Sequence, residues 1–328
     1  MGWKARDIPD LSGKVAVVTG GNGGLGLETS RQLAAHGALV VIGARNLEKA
    51  EAARRDIEAT VPGASLEIRK LDLGSLDSIA RFAADVTKAH PRIDLLFNNA
   101  GLMAVPEGTT ADGFETQFGT NHLGHFALTM RLLPALLSAP SPRVVSTTST
   151  ARFAAGEYDL SNPHMHGCYG PWDAYGMSKR ANLQFALELD RRLRDRGLRA
   201  LAADPGFSKT DLQAASLRAN RGFLQRFWHT TVRFMGQAAG KGALCQLRAG
   251  TDPKATGGTL YAPRWITFGA PVVRGVAKRM RRPEQLAQLW ELSERETGLT
   301  LDGALGGTRP GRRLAGRATW TAPKRKAK

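Results

Sequence analysis

This chain of 328 residues is poor in cysteine, aromatics and negative charge. Its two cysteines, Cys168 and Cys245, are too few for a disulfide framework or a thiolate metal site. A reducing, cytoplasmic setting is therefore expected. No apolar run approaches the ~18 residues that span a bilayer, and Met1 to Asp10 is polar, without a signal-peptide core. Neither a transmembrane segment nor a secretory leader is expected. Aromatics make up 7% of residues and hydrophobics 42%, which suits an ordinary α/β protein. Lys and Arg number 46 against 29 Asp and Glu, a net charge of +17. From Arg309 to Lys328 every charge is basic, within a Gly-, Pro- and Ala-rich end. Residues 307–328 read as a disordered basic tail behind a single domain at 1–306. The tail's charge run has no aromatics arranged for base stacking, so no nucleic-acid partner is expected.

What is present is an alternation of strand and helix. Val15–Thr19 is a β-branched run bounded by glycines, and Gly24 to His36 then reads as a helix closed by Gly37. Further strands are expected at Leu39–Ile42, Leu66–Leu71, Ile93–Phe97, Arg143–Thr147 and Leu198–Ala202, with a seventh at Gly258–Tyr261. Helices fall at Leu47–Thr60, Leu76–His90, Phe114–Leu137, Ala174–Arg196 and Pro283–Thr297. Short strands separated by helices pair in parallel through right-handed crossovers. The expected fold is α/β: a doubly wound parallel sheet of Rossmann type, about seven strands, with ligands at the carboxyl strand ends. Beyond Gly206 the alternation stops. Residues about 207–250, with Phe223, Phe227, Trp228 and Phe234, read as an amphipathic helical lid over the site.

Between the first strand and first helix lies Thr19-Gly20-Gly21-Asn22-Gly23-Gly24-Leu25-Gly26. Glycines let the backbone turn sharply and approach a pyrophosphate, and the following helix N-terminus offers N–H groups to that anion. A dinucleotide is thus expected over Gly20, Asn22, Gly24, Leu25 and Gly26. The second strand ends in Ala44-Arg45, with no acidic residue from Val40 to Asn46. An acidic residue there holds an unmodified ribose, whereas the Arg45 guanidinium suits a 2′-phosphate. NADP(H) is expected over NAD(H).

Tyr175 and Lys179 stand four apart in a predicted helix, which places them on one face. An ammonium beside a phenol favours the phenolate, so the pair is a candidate proton donor and acceptor for an alcohol or ketone. His122 and His125 read as structural. His164, His166 and Cys168 lie close together without an evident fourth ligand, and no metal is expected.

Taken together, these motifs resemble the short-chain dehydrogenase/reductase family from roughly Gly13 to Gly298. They occur in the family's order: the glycine loop, Asn98-Asn-Ala-Gly101, Asn121, Ser149, Tyr175-x-x-x-Lys179 and Pro205-Gly206. The segments Ala44-Arg45-Asn46, Thr120 to Phe126, Tyr175 to Asn182 and Leu289 to Ser293 are similar to its retinol dehydrogenase-like branch. The resemblance implies that Tyr175 is the general acid or base and that Lys179 assists it and binds the nicotinamide ribose. It implies that Ser149 holds the substrate oxygen and Asn121 a relay water. It further implies cofactor contacts from Asp72, Leu73, Asn98, Ala100, Gly101, Pro205, Gly206 and Thr210. A register shift would move the serine's role to Thr148 or Thr150. Trp172, Phe153 and Tyr158 would border the substrate. Asp204 departs from the histidine common before Pro205-Gly206 in that branch. A lipophilic carbonyl or alcohol (retinoid-, steroid- or long-chain aldehyde-like) is the implied substrate, and a homodimer through the catalytic-helix face is implied as possible. The competing class is a non-catalytic NADP-binding sensor or scaffold, against which the intact Asn121, Ser149, Tyr175 and Lys179 argue.

Overall fold

The computed structural model describes residues 2–154, 159–207 and 238–306. Its sheet has eight strands: β1 (Val15–Thr19), β2 (Leu39–Ala44), β3 (Leu66–Lys70), β4 (Leu95–Asn98), β5 (Arg143–Thr147), β6 (Arg199–Ala203), β7 (Leu260–Pro263) and β8 (Pro271–Arg274). The order is β3-β2-β1-β4-β5-β6-β7-β8. Every neighbouring pair is parallel except β7 with β8. Chain direction across the sheet reverses between β1 and β4, which opens the ligand crevice at their carboxyl ends.

The helices are α1 (Gly24–Ala35), α2 (Leu47–Thr60), α3 (Leu76–Ala89), α4 (Gly124–Leu137), α5 (Pro171–Leu193), α6 (Ala239–Thr251), α7 (Pro283–Thr297) and α8 (Leu301–Ala304). Period-two alternation sends strand side chains into two cores. Val17, Leu96, Val144 and Ala200 face a core with Phe82 of α3, Phe126 of α4, Phe185 of α5 and Trp290 of α7. Ala16, Val18, Leu95, Phe97 and Val145 face the other, with Leu33 of α1, Ile57 of α2 and Leu247 of α6.

Three expectations need correction. First, the sheet has an eighth strand. Pro271–Arg274 is short and proline-led, so it carries no strand pattern, yet it is admissible as an antiparallel edge. Second, residues 239–250 of the expected lid belong to α6, whose Ala243, Cys245, Leu247 and Ala249 are buried against the sheet. An amphipathic pattern does not tell a helix which surface it covers. The preceding part of that lid, residues 208–237, lies outside the described residues, as do Thr210, Tyr158 and residues 307–328. Third, Phe114–Leu137 is not one helix. A helical turn at Thr116–Phe118 and a π-helical segment at Gly119–Leu123 precede α4. Such wide turns interrupt α-helices frequently at functional sites, and this one carries Asn121.

Candidate active site

The glycine loop is built for close backbone approach. Gly20 has φ +65°, and a Cβ on Gly26 would stand 2.2 Å from the Gly20 carbonyl oxygen. α1 begins after Gly23 with no side chain capping its N–H groups, which leaves them for an anion. Thr19, at the end of β1, ties this loop to the end of β4. Its hydroxyl accepts from the amides of Asn99 (2.9 Å) and Ala100 (3.0 Å), and its carbonyl accepts from Asn99 Nδ2 at 2.9 Å. A dinucleotide pyrophosphate fits this cradle, which any side chain at Gly26 would fill.

Arg45 is exposed just beyond β2. Lys70, opposite Ala44 in the β2–β3 register, donates from Nζ to the Arg45 carbonyl at 2.7 Å. Lys70 went unnoticed in the sequence because only strand register brings it to Arg45. Asp72 accepts the Gly74 amide at 2.9 Å through Oδ1, while its own amide is held by Ser78 Oγ at 2.9 Å. Leu73 is buried in the core. Asn98 is turned inward and donates to Thr129 Oγ1 of α4 at 3.1 Å, so its side chain secures β4 to α4. Ala100 and Gly101 bring backbone into the crevice. A Cβ on Gly101 would stand 3.1 Å from Asn121 Oδ1 and 3.3 Å from Lys179 Nζ.

The candidate catalytic residues converge from three elements: the Gly119–Leu123 segment, the turn after β5, and α5. Asn121 latches the loop after β4: its Oδ1 accepts the Leu102 amide at 2.7 Å, and its Nδ2 donates to the Leu102 carbonyl and to Ser178 Oγ, both at 2.9 Å. These contacts fix its side chain beside the loop. Thr148 is buried and donates to the Lys179 carbonyl at 2.6 Å. Ser149 hydrogen-bonds to the Tyr175 phenol. Ser149 also caps the 3-10 turn Thr150–Phe153, accepting from the Ala151 amide at 3.2 Å. Lys179 Nζ lies 5.7 Å from the Tyr175 ring centroid and donates to the Thr147 carbonyl at 3.3 Å. Trp172 packs edge-on to Tyr175, with ring centroids 6.1 Å apart.

Electrostatics here differ from the sequence expectation. Burial pushes the Tyr175 phenol up to about 12; the Ser149 hydrogen bond opposes that rise and the Asp204 carboxylate adds to it. Burial pulls the Lys179 ammonium down to about 8, with Asp204 acting the other way. The protein groups alone therefore do not draw the phenol toward neutrality. The lysine charge is directed at Thr147, and desolvation outweighs it.

Asp204 closes β6 and is almost fully buried. Its Oδ2 accepts Arg152 Nη1 at 2.5 Å, and its Oδ1 accepts the Gly206 amide at 3.0 Å. Arg152 is three residues past Ser149, and no sequence signal joined it to Asp204. Gly206 has φ +65°, and a Cβ there would collide with the Thr267 carbonyl oxygen at 2.6 Å, so Pro205-Gly206 is a required turn between the ends of β6 and β7.

The two buried histidines tie neighbouring elements together. His125 bridges Thr19 Oγ1 (2.9 Å) and the Asn121 carbonyl (2.8 Å), and burial holds its pKa down to about 4. His122 meets Ser293 Oγ of α7 at 2.8 Å, and burial lowers its pKa to about 3. His164 pairs with Glu296 at 3.4 Å and stacks on Phe114. Among the described residues no group of His, Cys, Asp and Glu is arranged to hold a metal.

Residues 14–221 match the family model described as short chain dehydrogenase. The chain is a member of the short-chain dehydrogenase/reductase family. It falls in the retinol dehydrogenase-like branch, and is an oxidoreductase acting on CH–OH or C=O groups. It is 37% identical over 302 residues to a short-chain dehydrogenase/reductase of Armillaria gallica, covering 89% of this chain and 93% of that one. It is 35% identical over 293 residues to human retinol dehydrogenase 12, covering 89% of each. A crystal structure of an uncharacterized protein from Mycobacterium paratuberculosis aligns with TM-score 0.76 and 38% identity, over 92% of this chain and 99% of that one. A metagenomic short-chain oxidoreductase solved with NADP aligns with TM-score 0.51 and 30% identity, over 60% of this chain and 84% of that one. Among the described residues no helix is long and apolar enough to cross a membrane.

Proposed function

We propose that this dehydrogenase/reductase uses NADP(H) to interconvert an apolar carbonyl compound and its alcohol. The observation that carries the reading is the buried Tyr175, hydrogen-bonded to Ser149 and one helical turn from Lys179, at the strand ends that also hold the glycine loop. The dinucleotide, when bound, supplies or accepts the hydride. Gly20, Asn22, Gly24, Leu25 and Gly26 would hold its pyrophosphate, Asp72 and Leu73 its adenine end, and Ala100, Gly101, Pro205 and Gly206 its remaining length. Asn98 would act through the position of that strand end, and Thr210 from beyond the described residues. Arg45 and Lys70 support the phosphorylated cofactor, since both cations stand at the end of β2 and β3 with no carboxylate from Val40 to Asn46.

The phenol's high pKa suits a proton donor to a nascent alkoxide during carbonyl reduction. Ser149 donates to the same oxygen and stabilises the charge that develops there. Lys179, held near 8, is able to pass a proton on, and Asn121 fixes the backbone around it. In the oxidative direction the phenolate takes the alcohol proton. The apolar class of substrate is supported by Trp172 beside Tyr175 and by the names of the retinol dehydrogenase relatives.

The experiment is Tyr175→Phe, assayed against a panel of apolar aldehydes, ketones and alcohols with NADPH and NADH. Turnover should fall by about 10²–10⁴-fold while dinucleotide binding persists. Near wild-type turnover would sink the assignment.

A further inference from the structure

The hairpin joining β7 and β8 is exposed and apolar at its tip, where Arg264 and the Arg274 guanidinium are its charges. Trp265 is 64% exposed, Ile266 60%, Phe268 53% and Val273 54%. These are four of the six large exposed hydrophobics among the described residues, so the apolar surface is concentrated there rather than scattered. The tip is ordered by its own backbone. Arg264 N donates to Ala270 O, Trp265 N to Phe268 O and Ile266 N to Pro263 O, at 3.0 to 3.1 Å. Ile266 is held at φ +67°, a left-handed conformation that a β-branched residue adopts only under strain. A turn needing only to reverse the chain would take glycine or asparagine there.

From Arg264 to Arg274, the hairpin itself, the chain carries two cations and no carboxylate. Arg264 is exposed on the tip itself, and Arg274 reaches back from β8 to the Pro263 and Arg264 carbonyls. The tip also lies at the catalytic end of the sheet, because Phe207 N donates to the Thr267 carbonyl at 3.3 Å just beyond Pro205-Gly206.

We propose that this hairpin docks the protein on an anionic phospholipid surface, with Trp265, Ile266 and Phe268 entering the interface and Arg264 meeting the headgroups. Indole and phenyl rings favour that interfacial depth, and cations beside them add attraction to anionic lipid. Charge selects this occupant over a second copy, since a two-fold contact would oppose the same carboxylate-free segments. The aliphatic Ile266 and Val273 fit acyl chains better than stacked bases. Docking here holds the carboxyl strand ends against the bilayer, whatever the substrate proves to be.

The test is flotation of the full chain with phosphatidylcholine vesicles, with and without phosphatidylglycerol. Binding should require phosphatidylglycerol and weaken with salt. Trp265→Ser/Ile266→Ser/Phe268→Ser should lower it by about tenfold or more, with an unchanged unfolding midpoint. A chain ending at Gly306 should still bind. Brominated lipid should quench wild-type tryptophan fluorescence more than that of Trp265→Phe, a variant that keeps the hairpin aromatic. Equal quenching of the two would overturn the proposal. So would binding abolished by removing residues 307–328 but not by the triple change, binding to single-stranded DNA in place of vesicles, or a dimer that only the triple variant dissolves.

Discussion

Arg152 and Asp204 form a buried ion pair at 2.5 Å, with side chains 7% and 2% exposed, between the Ser149 turn and the end of β6. The carboxylate raises the affinity of both Tyr175 and Lys179 for their protons. Asp204→Asn therefore lowers both pKa values. Alcohol oxidation needs the phenolate, so its rate climbs with pH through the Tyr175 pKa. In the variant that climb should begin at lower pH, by up to about one unit. Removing one partner of a buried pair also leaves the other charge uncompensated, at about 3–5 kcal/mol. Arg152→Met/Asp204→Asn should recover much of the lost stability while keeping the shifted profile. An unshifted profile in both variants would separate Asp204 from the proton chemistry.

Lys179 bears on stability as well as on activity. Its folded pKa of about 8 lies below the ordinary 10.5. The native state therefore sheds this proton before the unfolded chain does, and stability from this group rises between those two pH values. Below pH 8 the buried ammonium costs about 3 kcal/mol. Lys179→Met should consequently be more stable than the wild type near neutrality and inactive. Its advantage should shrink as pH approaches 10.5, as urea unfolding across that range will show. A variant less stable at neutral pH would mean that the ammonium is better compensated than its single 3.3 Å contact with Thr147 suggests.

Arg45 and Lys70 set a prediction for cofactor choice. Charge-assisted hydrogen bonds contribute about 1.5–3 kcal/mol each, so Arg45→Asp should cut kcat/KM for NADPH by about 10- to 100-fold. NADH should gain, because the new carboxylate is able to accept the ribose hydroxyl. Lys70→Ala should give a smaller loss in the same direction. Equal effects on both cofactors would assign Arg45 to a solvated helix approach and no more.

The parallel α/β sheet, the glycine loop and the Tyr–Lys helix were legible because each rests on local pattern: alternation, glycine spacing, a four-residue separation. What escaped depends on contacts distant in sequence. Lys70 reaches Arg45 only through strand register, and Arg152 reaches Asp204 across two strands. Asn98 sits in a cofactor-type motif, yet its side chain serves α4 through Thr129, a direction that spacing does not encode. The phenol's pKa was misjudged for a related reason. A neighbouring lysine is visible in sequence, but full burial and a nearby carboxylate are not. That Thr148 donates to the Lys179 carbonyl, while Ser149 bonds to Tyr175, is likewise a matter of side-chain direction that spacing does not encode.

Part of the catalytic-helix face, through which the sequence allows a homodimer, is covered by the chain's own C-terminal helices. α7 packs on α5 and α8 on α4. Trp290 of α7 is buried, stacked on Phe185 at 5.9 Å, edge-on to Phe126 at 5.2 Å and covered by the Arg192 guanidinium at 4.6 Å. Trp290→Ala should cost about 3–5 kcal/mol in chemical unfolding, the range for emptying a buried aromatic site. With α7 and α8 packed there, a dimer through α4 and α5 is expected not to form. A single cysteine at Arg131, exposed on α4, in a Cys168→Ser background should thus give no disulfide-linked dimer under mild oxidation. Ready cross-linking at that position would show that copies of the chain meet there after all.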